Sequence, residues 1–255
     1  MAPTLRRLPE GTVNRIAAGE VVERPASVVK ELVENAIDAG AGQIQVTITD
    51  GGRTLITVAD DGRGMTAAEL DLAVERHATS KLPDDNDLMD IAWLGFRGEA
   101  LPSIASVSRM EIISRAAGDA GADGAFALAV EGGVRQSVRP AALARGTRIE
   151  VRDLFFATPA RLKFLKTERT EINYALDVVR CLAMAYAEIG FSVTDERGTR
   201  LRLEPLAGDL LDGRLARLRA VMGPDFADNA LAVEAERNGI RLEGHAGVPT
   251  LNQAY

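Results

Sequence analysis

The segment from Pro25 to Gly40 reads Pro-Ala-Ser-Val-Val-Lys-Glu-Leu-Val-Glu-Asn-Ala-Ile-Asp-Ala-Gly, and its pattern predicts an amphipathic helix. Proline suits the first position of a helix, and glycine suits the left-handed residue that ends one. Between them, apolar side chains recur at helical spacing and form one broad stripe: Val28, Val29, Leu32, Val33, Ala36 and Ile37. We therefore expect this helix to pack along one face against the core.

Two polar residues of this helix lie at the edge of the apolar stripe. Glu31 and Asn35 are four residues apart, so their side chains stack on one side of the helix. Lys30, Glu34 and Asp38 are predicted to lie opposite the stripe. A carboxylate at the border is half buried, which suits a general base better than full exposure does. Taken alone, the pair is more typical of a solvated helix edge than of a catalytic site.

The composition limits the classes of function. The chain has 255 residues, of which 46% are hydrophobic and 26% charged, as in an ordinary globular protein. Its net charge of −7 argues against a dedicated nucleic-acid binder, and basic stretches such as 161–169 are interpreted as solvated charge. Cys181 is the only cysteine and there are two histidines, so the 255 residues predict neither an internal disulfide nor a thiolate or multi-histidine metal cluster.

Targeting signals are not visible in the sequence. No apolar run reaches the roughly 20 residues that a membrane-spanning helix needs, and residues 1–10 carry two arginines but no apolar segment. We therefore expect a cytoplasmic protein without membrane association.

A hairpin is predicted after the helix, and it ends in a loop of acidic residues and glycines. Residues 43–49 alternate between polar and apolar, and 55–59 form the return strand, which runs into Asp60-Asp61-Gly62-Arg63-Gly64. A carboxylate at a strand end accepts a hydrogen bond from an exocyclic amine such as that of adenine. Glycines let a flat ligand approach the main chain closely. Asp-Gly pairs most often only make turns, so both interpretations stay open here.

A second glycine-containing loop, Gly95 to Leu101, precedes an apolar helical segment. Unpaired amides and the helix dipole make such a helix start a favourable site for phosphate. The spacing is not that of a Walker loop, because no Gly-Lys-Ser/Thr follows. If phosphates bind here, the segment 79–98 would close over them as a lid.

The remaining chain predicts further strands and helices. Strands are expected at 110–114, 125–130, 134–138 and 147–151. Thr170 is expected to cap a helix that runs to about Ile189 and has Cys181 on its buried side. A domain boundary is expected within 205–213, dividing the chain into residues 1–206 and 207–255. The second part is too short for an independent core, so the chain is expected to end inside a second domain.

Together the motifs resemble those of the GHKL ATPases, the superfamily of gyrase, a heat-shock chaperone, histidine kinases and MutL. Three longer runs are similar to the MutL DNA mismatch-repair family, namely Asn14–Pro25 (NRIAAGEVVERP), His77–Lys81 (HATSK) and Gly95–Leu101 (GFRGEAL). The resemblance covers essentially the whole chain. It implies an α+β fold in residues 1–206, a GHKL (Bergerat) two-layer α/β sandwich with a mixed sheet. Residues 207–255 would be the truncated start of an S5-like α/β domain.

The resemblance also implies an ATP site with a bound Mg²⁺ ion. Glu31 would be the general base that orients and deprotonates the attacking water, and Asn35 would ligate the Mg²⁺ that bridges the triphosphate. Asp60 would bind the adenine amine, with Gly64 and Thr147 supporting the adenine pocket. The residues implied to hold the phosphates are Thr79, Ser80, Gly95, Phe96, Arg97, Gly98, Glu99, Ala100 and Leu101.

The implied function is ATP binding and slow hydrolysis that drive N-terminal homodimerisation and partner switching in DNA mismatch repair. The expected partners are a mismatch-recognition protein and downstream repair enzymes, with weak binding to DNA. In an alternative, ATP is mainly a ligand that drives dimerisation and hydrolysis is incidental. Another alternative is a gyrase-like ATPase or a histidine kinase. A kinase lacks the water-activating glutamate, and the run 95–101 is not gyrase-like.

Two departures from the family pattern bear on activity. Asp61 stands where the family usually has asparagine, and we expect little loss from it because it is offset from the adenine contact. The family's lysine that reaches the γ-phosphate comes from farther along the second domain, and the 255 residues end at Tyr255 before such a residue. The family's C-terminal dimerisation domain, which carries an endonuclease site in some members, is likewise expected to lie outside these 255 residues. We therefore expect nucleotide binding with slow or negligible hydrolysis.

Overall fold

The computed structural model describes residues 8–79, 94, 98–118, 124–206 and 210–249. Its helices are α1 Glu10–Val21, α2 Pro25–Asp38, α3 Ala67–Leu72, α4 Ala100–Val107, α5 Glu168–Ala185, α6 Leu210–Met222 and α7 Pro224–Asp228. Its strands are β1 Gln43–Thr49, β2 Leu55–Asp60, β3 Arg109–Arg115, β4 Ala125–Glu131, β5 Val134–Arg135, β6 Arg139–Ala141, β7 Gly146–Arg152, β8 Gly190–Asp195, β9 Gly198–Leu203, β10 Ala230–Arg237 and β11 Ile240–Gly247.

The main sheet is mixed. Its order is β5-β4-β3-β7-β2-β1-β8-β9, with β6 paired to β4. The β1–β8 pair is parallel and the other pairs of this sheet are antiparallel. The register sets Asp60 opposite Thr147 and Thr147 opposite Ser114, so the polar ends of three neighbouring strands meet at one edge.

The core lies between one face of this sheet and the helices α2 and α5. Alternate residues of β1 are buried and exposed, as the hairpin pattern predicts. The apolar stripe of α2 is buried as predicted, with Val28, Val29 and Val33 at 0% exposure. Each such side chain contributes roughly 1.5–3 kcal/mol by leaving water. The stripe therefore fixes α2 against the sheet and leaves its Glu31–Asn35 edge beside the strand ends.

The structure corrects several predictions about individual elements. Glu34 is buried at 8% exposure, not on a solvent-facing side. Helix α5 begins at Glu168, because the Thr167 side chain caps it by accepting from the Thr170 amide at 3.3 Å. Cys181 is exposed. Of the strand expected at 134–138, only Val134–Arg135 form one (β5), and the next strand, β6, begins at Arg139.

Strands β8 and β9 were not predicted from the sequence. Their alternating pattern is present in Phe191, Val193 and the polar residues between them, but a helix end at Ala185 had to be recognised first. Because β8 pairs in parallel with β1, it extends the sheet beyond the predicted hairpin.

The last described segment contains α6, α7 and a separate hairpin of β10 and β11. The hairpin turns at Asn238-Gly239, a typical two-residue turn sequence, with both residues at positive φ. The Arg217 guanidinium of α6 is buried and its Nη2 donates to the carbonyls of Ala187, Ile189 and Glu204 at 2.7–2.9 Å. These bonds tie α6 to the edge of the main sheet.

None of the helices in the described ranges is long and apolar enough to cross a membrane.

Candidate functional site

A cavity of about 1040 Å³ lies between α2, the ends of β2 and β7, the segment after α3 and the start of α4. The predicted site residues that line it are Glu31, Asn35, Asp60, Gly64, Thr79, Gly98, Glu99, Ala100, Leu101 and Thr147. Four other predicted site residues, Ser80, Gly95, Phe96 and Arg97, lie outside the described residues. The structure thus brings together every predicted site residue that it describes.

Helix α2 forms the wall that carries Glu31 and Asn35. Both side chains are half buried and lie one turn apart on the cavity side, and the Glu31 side chain is 27% exposed. Sequence reasoning missed two further residues of this wall. Lys30 and Glu34 were expected opposite the stripe, yet both line the cavity, and Lys30 Nζ donates to Glu34 at 2.8 Å.

Asp60 stands at the end of β2 with its carboxylate in the cavity wall. Burial raises the pKa of this carboxyl to about 6, against the opposing hydrogen bonds from the Gly62 and Thr147 backbone, and the nearby charge of Asp61 adds to the rise. The Gly62 amide donates to Asp60 Oδ1 at 2.9 Å. At neutral pH the carboxylate is ionised and poorly hydrated, which makes it a strong hydrogen-bond acceptor for a ligand amine.

A buried pair of hydroxyls fixes the loop after Asp60. Ser114 Oγ accepts from the Met65 amide at 2.8 Å and lies 2.9 Å from Thr147 Oγ1. It also donates to the Gly146 carbonyl at 3.2 Å. The sequence did not reveal Ser114, because its role depends on the register that sets it opposite Thr147. Thr147 therefore shapes the floor of the cavity together with Ser114.

Gly64 lies where the loop after Asp60 passes over β3. Its φ is +63°, and a methyl group on its Cα would lie 1.9 Å from the carbonyl oxygen of Arg115. A side chain at this position meets both an unfavourable backbone conformation and a main-chain atom. The loop can approach the sheet, and a flat ligand can approach the loop, only because this residue is glycine.

We expect Gly64→Ala to destabilise the fold far more than Gly40→Ala, measured as the free energy of unfolding in urea. Gly40 has a similar φ of +72° but no atom within 4 Å of the added methyl group. The left-handed conformation alone costs an alanine roughly 1–2 kcal/mol. Forcing the methyl group of residue 64 against Arg115 adds about 1–3 kcal/mol.

Gly40→Ala is the matched control, because the two substitutions share the backbone cost and differ in the contact. Equal losses of stability would show that the loop moves away from Arg115 at little cost, and that Gly64 does not hold this loop rigidly against β3.

Asp61 is held outside the cavity. Its Oδ1 accepts from the amides of Gly42 and Gln43 at 2.8 and 2.9 Å, and Arg145 donates to its carbonyl oxygen. These bonds fasten the loop after α2 to the loop after β2. Asp61 does not occur among the described residues that line the cavity, so we expect its charge to affect a ligand only indirectly, through the pKa of Asp60.

The opposite end of the cavity is formed by the start of α4 and the segment before it. Helix α4 begins at Ala100, and the first amides of a helix have no partner within it. His77 donates its amide to the Gly98 carbonyl at 3.2 Å, which sets Thr79 near this helix start. Gly98 has a φ of +60°, and a side chain there would collide with the Ala78 carbonyl. The resulting concave, amide-rich surface suits an anion.

The donor set for a metal is sparse. Within the described ranges, no group of three or more His, Cys, Asp or Glu side chains is arranged to hold a metal ion. Asn35 offers one amide oxygen in the cavity wall. An oxygen donor is the kind of ligand that Mg²⁺ takes, but proteins usually hold this ion through one or two carboxylates together with substrate phosphates and water, so Asn35 would supply only one of the ligands.

Comparison with known sequences places the chain among nucleotide-binding proteins of one superfamily. The family described as "Histidine kinase-, DNA gyrase B-, and HSP90-like ATPase" matches residues 23–129. The DNA mismatch repair protein MutL of Rhodospirillum rubrum is 63% identical over 98% of this chain, and that of Paramagnetospirillum magneticum is 58% identical over 98%. The matches cover 39% and 41% of those proteins, so the chain spans about two fifths of their length.

Solved structures agree with this placement. The Aquifex aeolicus MutL ATPase domain complexed with ADP is 30% identical, with a TM-score of 0.67 over 92% of this chain and 80% of that one. The N-terminal domain of a DNA repair protein is 26% identical, with a TM-score of 0.72 over 91% and 70%. The predicted mixed-sheet GHKL sandwich is thereby confirmed. Since identity, coverage and fold all agree, this chain belongs to the MutL family of DNA mismatch-repair proteins and contains its GHKL ATPase domain.

Proposed function

We propose that this chain binds ATP and Mg²⁺ in the cavity beside α2 and hydrolyses the nucleotide slowly. The nucleotide-bound state would dimerise and switch partners in DNA mismatch repair. The observation that carries the proposal is the convergence of the ten described candidate residues on one cavity, which has an acidic acceptor at one end and a helix start at the other. Residues 207–255 would begin the second, S5-like domain.

The adenine base would bind at the Asp60 end. Its exocyclic amine would donate to the Asp60 carboxylate, which the Gly62 amide already orients through Oδ1. Gly64 would let the ring approach the main chain, and Thr147 would support it through its contact with Ser114. Guanine carries an oxygen at the position of the amine and would present an acceptor to an acceptor, so the site is specific for adenine.

The triphosphate would extend towards the start of α4. Thr79 and the amides at Gly98 to Leu101 would bind its oxygens, joined by Ser80 and residues 95–97. Asn35 would contribute a ligand to Mg²⁺, which when bound would supply positive charge to offset the charge that develops on the phosphoryl oxygens. The helix dipole of α4 favours the same negative charge.

Glu31 would act on the water that attacks the γ-phosphate. Its carboxylate orients the water and accepts the proton as the new O–P bond forms. The bond to the β-phosphate oxygen breaks, and ADP and inorganic phosphate leave. Two of the described residues that line the cavity are a lysine and an arginine, Lys30 and Arg63. Lys30 is paired with Glu34, and Arg63 with Glu69. Because they are already engaged, we expect slow turnover.

The helix α1 supports the proposed dimerisation. Its residues Glu20 and Val21 line the cavity, while Val13 and Ile16 of the same helix are 45% and 61% exposed. A nucleotide that contacts the end of α1 would therefore bias the position of an apolar surface that a second copy can cover. The mismatch-recognition protein and downstream repair enzymes are the proposed partners in the cytoplasm, with weak DNA binding because the net charge is −7.

Calorimetric titration with a non-hydrolysable ATP analogue tests the site directly. We expect saturable binding in the presence of Mg²⁺, with affinity at least ~10-fold weaker when the ion is chelated, because the phosphates then lose their counter-charge. The corresponding GTP analogue should bind at least ~100-fold more weakly, since an acceptor would face the Asp60 carboxylate.

The outcome that contradicts the proposal is absence of binding by the ATP analogue. Equal affinity for the ATP and GTP analogues would show that Asp60 does not select adenine, but it would not contradict the phosphate site.

A further inference from the structure

Lys30 lies between two carboxylates on helix α2. Its Nζ is 2.8 Å from both carboxylate oxygens of Glu34 and 3.6 Å from Glu31 Oε1. The Glu34 side chain is 11% exposed, the Glu31 side chain 27% and the Lys30 side chain 49%. The three groups therefore form a chain of charges that leads from a buried anchor to the cavity wall.

The contact between Lys30 and Glu31 is not a product of helix geometry alone. Neighbouring residues of a helix point about 100° apart, so adjacent side chains do not normally meet. Glu34, one turn further along, draws the lysine stem across this edge of α2. A buried carboxylate keeps such a partner firmly, because its charge has lost most of its water. Glu34 thus determines where the ammonium group lies.

The ammonium group also keeps its charge. Burial lowers the pKa of Lys30, but the hydrogen bond to Glu34 and the charges of Glu31 and Glu34 outweigh this effect, so the pKa is raised overall. A permanent positive charge therefore lies beside the Glu31 carboxylate. It restrains the rotation of that side chain and offsets its repulsion by a bound triphosphate.

We propose that Lys30, anchored by Glu34, is a positioning residue that holds the Glu31 carboxylate in place for the attack of water on ATP. This inference rests on the proposed function, in which Glu31 is the general base. A base acts only within hydrogen-bond reach of the water it deprotonates, and small displacements have large effects on rate. Because Lys30 acts through Glu31, its removal affects the chemical step more than nucleotide binding.

Single-turnover hydrolysis, with protein in excess over ATP, measures the chemical step even when it is slow. For Lys30→Met we expect a rate ~10–100-fold below that of the unchanged chain, with the dissociation constant for ATP altered less than about 3-fold. Lys30→Arg restores most of the rate because it keeps the charge between the two carboxylates. Lys163→Met, at an exposed lysine of the turn Pro159–Phe164, is the matched control and leaves both quantities unchanged.

A double-mutant cycle separates positioning from direct contact with the substrate. In a Glu31→Gln background, Lys30→Met should cause no further loss, because the base it positions is already gone. Glu34→Gln provides a second route if Lys30→Met folds poorly. It keeps the buried volume and a hydrogen-bonding group, and we expect it to slow the chemical step while leaving ATP affinity nearly unchanged.

The outcomes identify which idea fails. An unchanged rate in both Lys30→Met and Glu34→Gln overturns the positioning role, and so does a loss that is fully additive with Glu31→Gln. A chain whose hydrolysis is insensitive to Glu31→Gln, or that does not bind ATP, overturns the proposed function and the positioning role together.

Discussion

Glu31→Gln should strongly slow the hydrolysis of ATP while leaving nucleotide binding intact. Glutamine has the size of glutamate and can still orient a water molecule, but it cannot accept the proton. General-base catalysis of this kind contributes typically ~10²–10⁴-fold to the rate. We expect the single-turnover rate to fall by that factor, and the affinity for a non-hydrolysable ATP analogue, measured by calorimetry, to change less than about 3-fold.

Glu168→Gln is a suitable control, because Glu168 is an exposed glutamate at the first turn of α5, outside the cavity. Its rate should equal that of the unchanged chain. An unaltered rate in Glu31→Gln would show that another group activates the water. Loss of binding together with the rate would instead indicate that Glu31 supports the cavity wall structurally.

The same variant tests whether ATP binding alone drives dimerisation and hydrolysis only reverses it. In that case Glu31→Gln should dimerise with the ATP analogue, with the dimer seen by analytical ultracentrifugation, and should stay dimeric with ATP itself, whereas the unchanged chain returns to monomers as ATP is consumed. A Glu31→Gln chain that binds ATP but stays monomeric would show that dimerisation needs the hydrolytic step.

Local patterns predicted the parts of the fold that depend on neighbours in sequence. The apolar stripe of α2 and the alternation in β1 are both present in the structure. Thr66 and Glu69, three residues apart as a capping box requires, form one at the start of α3, with each side chain bonded to the other's amide. Propensity and burial favour the same conformation in these segments, so the sequence pattern was sufficient.

Features that depend on contacts between distant parts of the chain could not be predicted from local sequence patterns. The contact between Ser114 and Thr147 needs the pairing of β3 with β7, which are more than 30 residues apart. The burial of Glu34 depends on how α2 packs in the folded protein, so a helical pattern alone placed this residue in solvent. These two cases show why the cavity walls were predicted less completely than the core.

Cys181 is a different kind of error, because its pattern was available in the sequence. Val179 and Ala183 are buried on α5, and Cys181 is two residues from each. Two residues turn a helix by about 200°, so Cys181 lies on the opposite side. Its apolar character suggested burial, but the periodicity of its own helix places it at the surface.

Asp60→Asn should remove nucleotide binding and at the same time make the protein more stable. The carboxyl of Asp60 has a pKa of about 6 in the folded protein, raised from 3.8 chiefly by burial. The folded state thus favours the protonated carboxyl, whose contribution to stability is fully present below pH 3.8 and is lost as the pH rises through 6. The difference between the two pKa values corresponds to about 3 kcal/mol of folding free energy that is lost by pH 8.

An asparagine is neutral at every pH and avoids this cost. We therefore expect Asp60→Asn to raise the free energy of unfolding by roughly 1–3 kcal/mol at pH 8, measured in urea, with the gain shrinking towards zero at pH 4. Its affinity for the ATP analogue should fall at least ~100-fold, because the amide can turn a donor towards the adenine amine. In the unchanged chain, affinity should weaken as the pH falls below about 6.

Asp61→Asn is the control that makes the comparison decisive. It removes a carboxylate one residue away, but one that accepts the amides of Gly42 and Gln43 outside the cavity. We expect it to gain no stability at pH 8 and to keep its affinity for the ATP analogue within about 3-fold. If Asp61→Asn is stabilised and Asp60→Asn is not, the cost of burying a charge falls on Asp61, and the argument about Asp60 is wrong. If Asp60→Asn binds the analogue normally, the base is read elsewhere. We expect Asp60→Asn to be more stable and unable to bind the analogue. This combination arises only if the folded protein carries a poorly solvated charge that destabilises it and that the ligand needs.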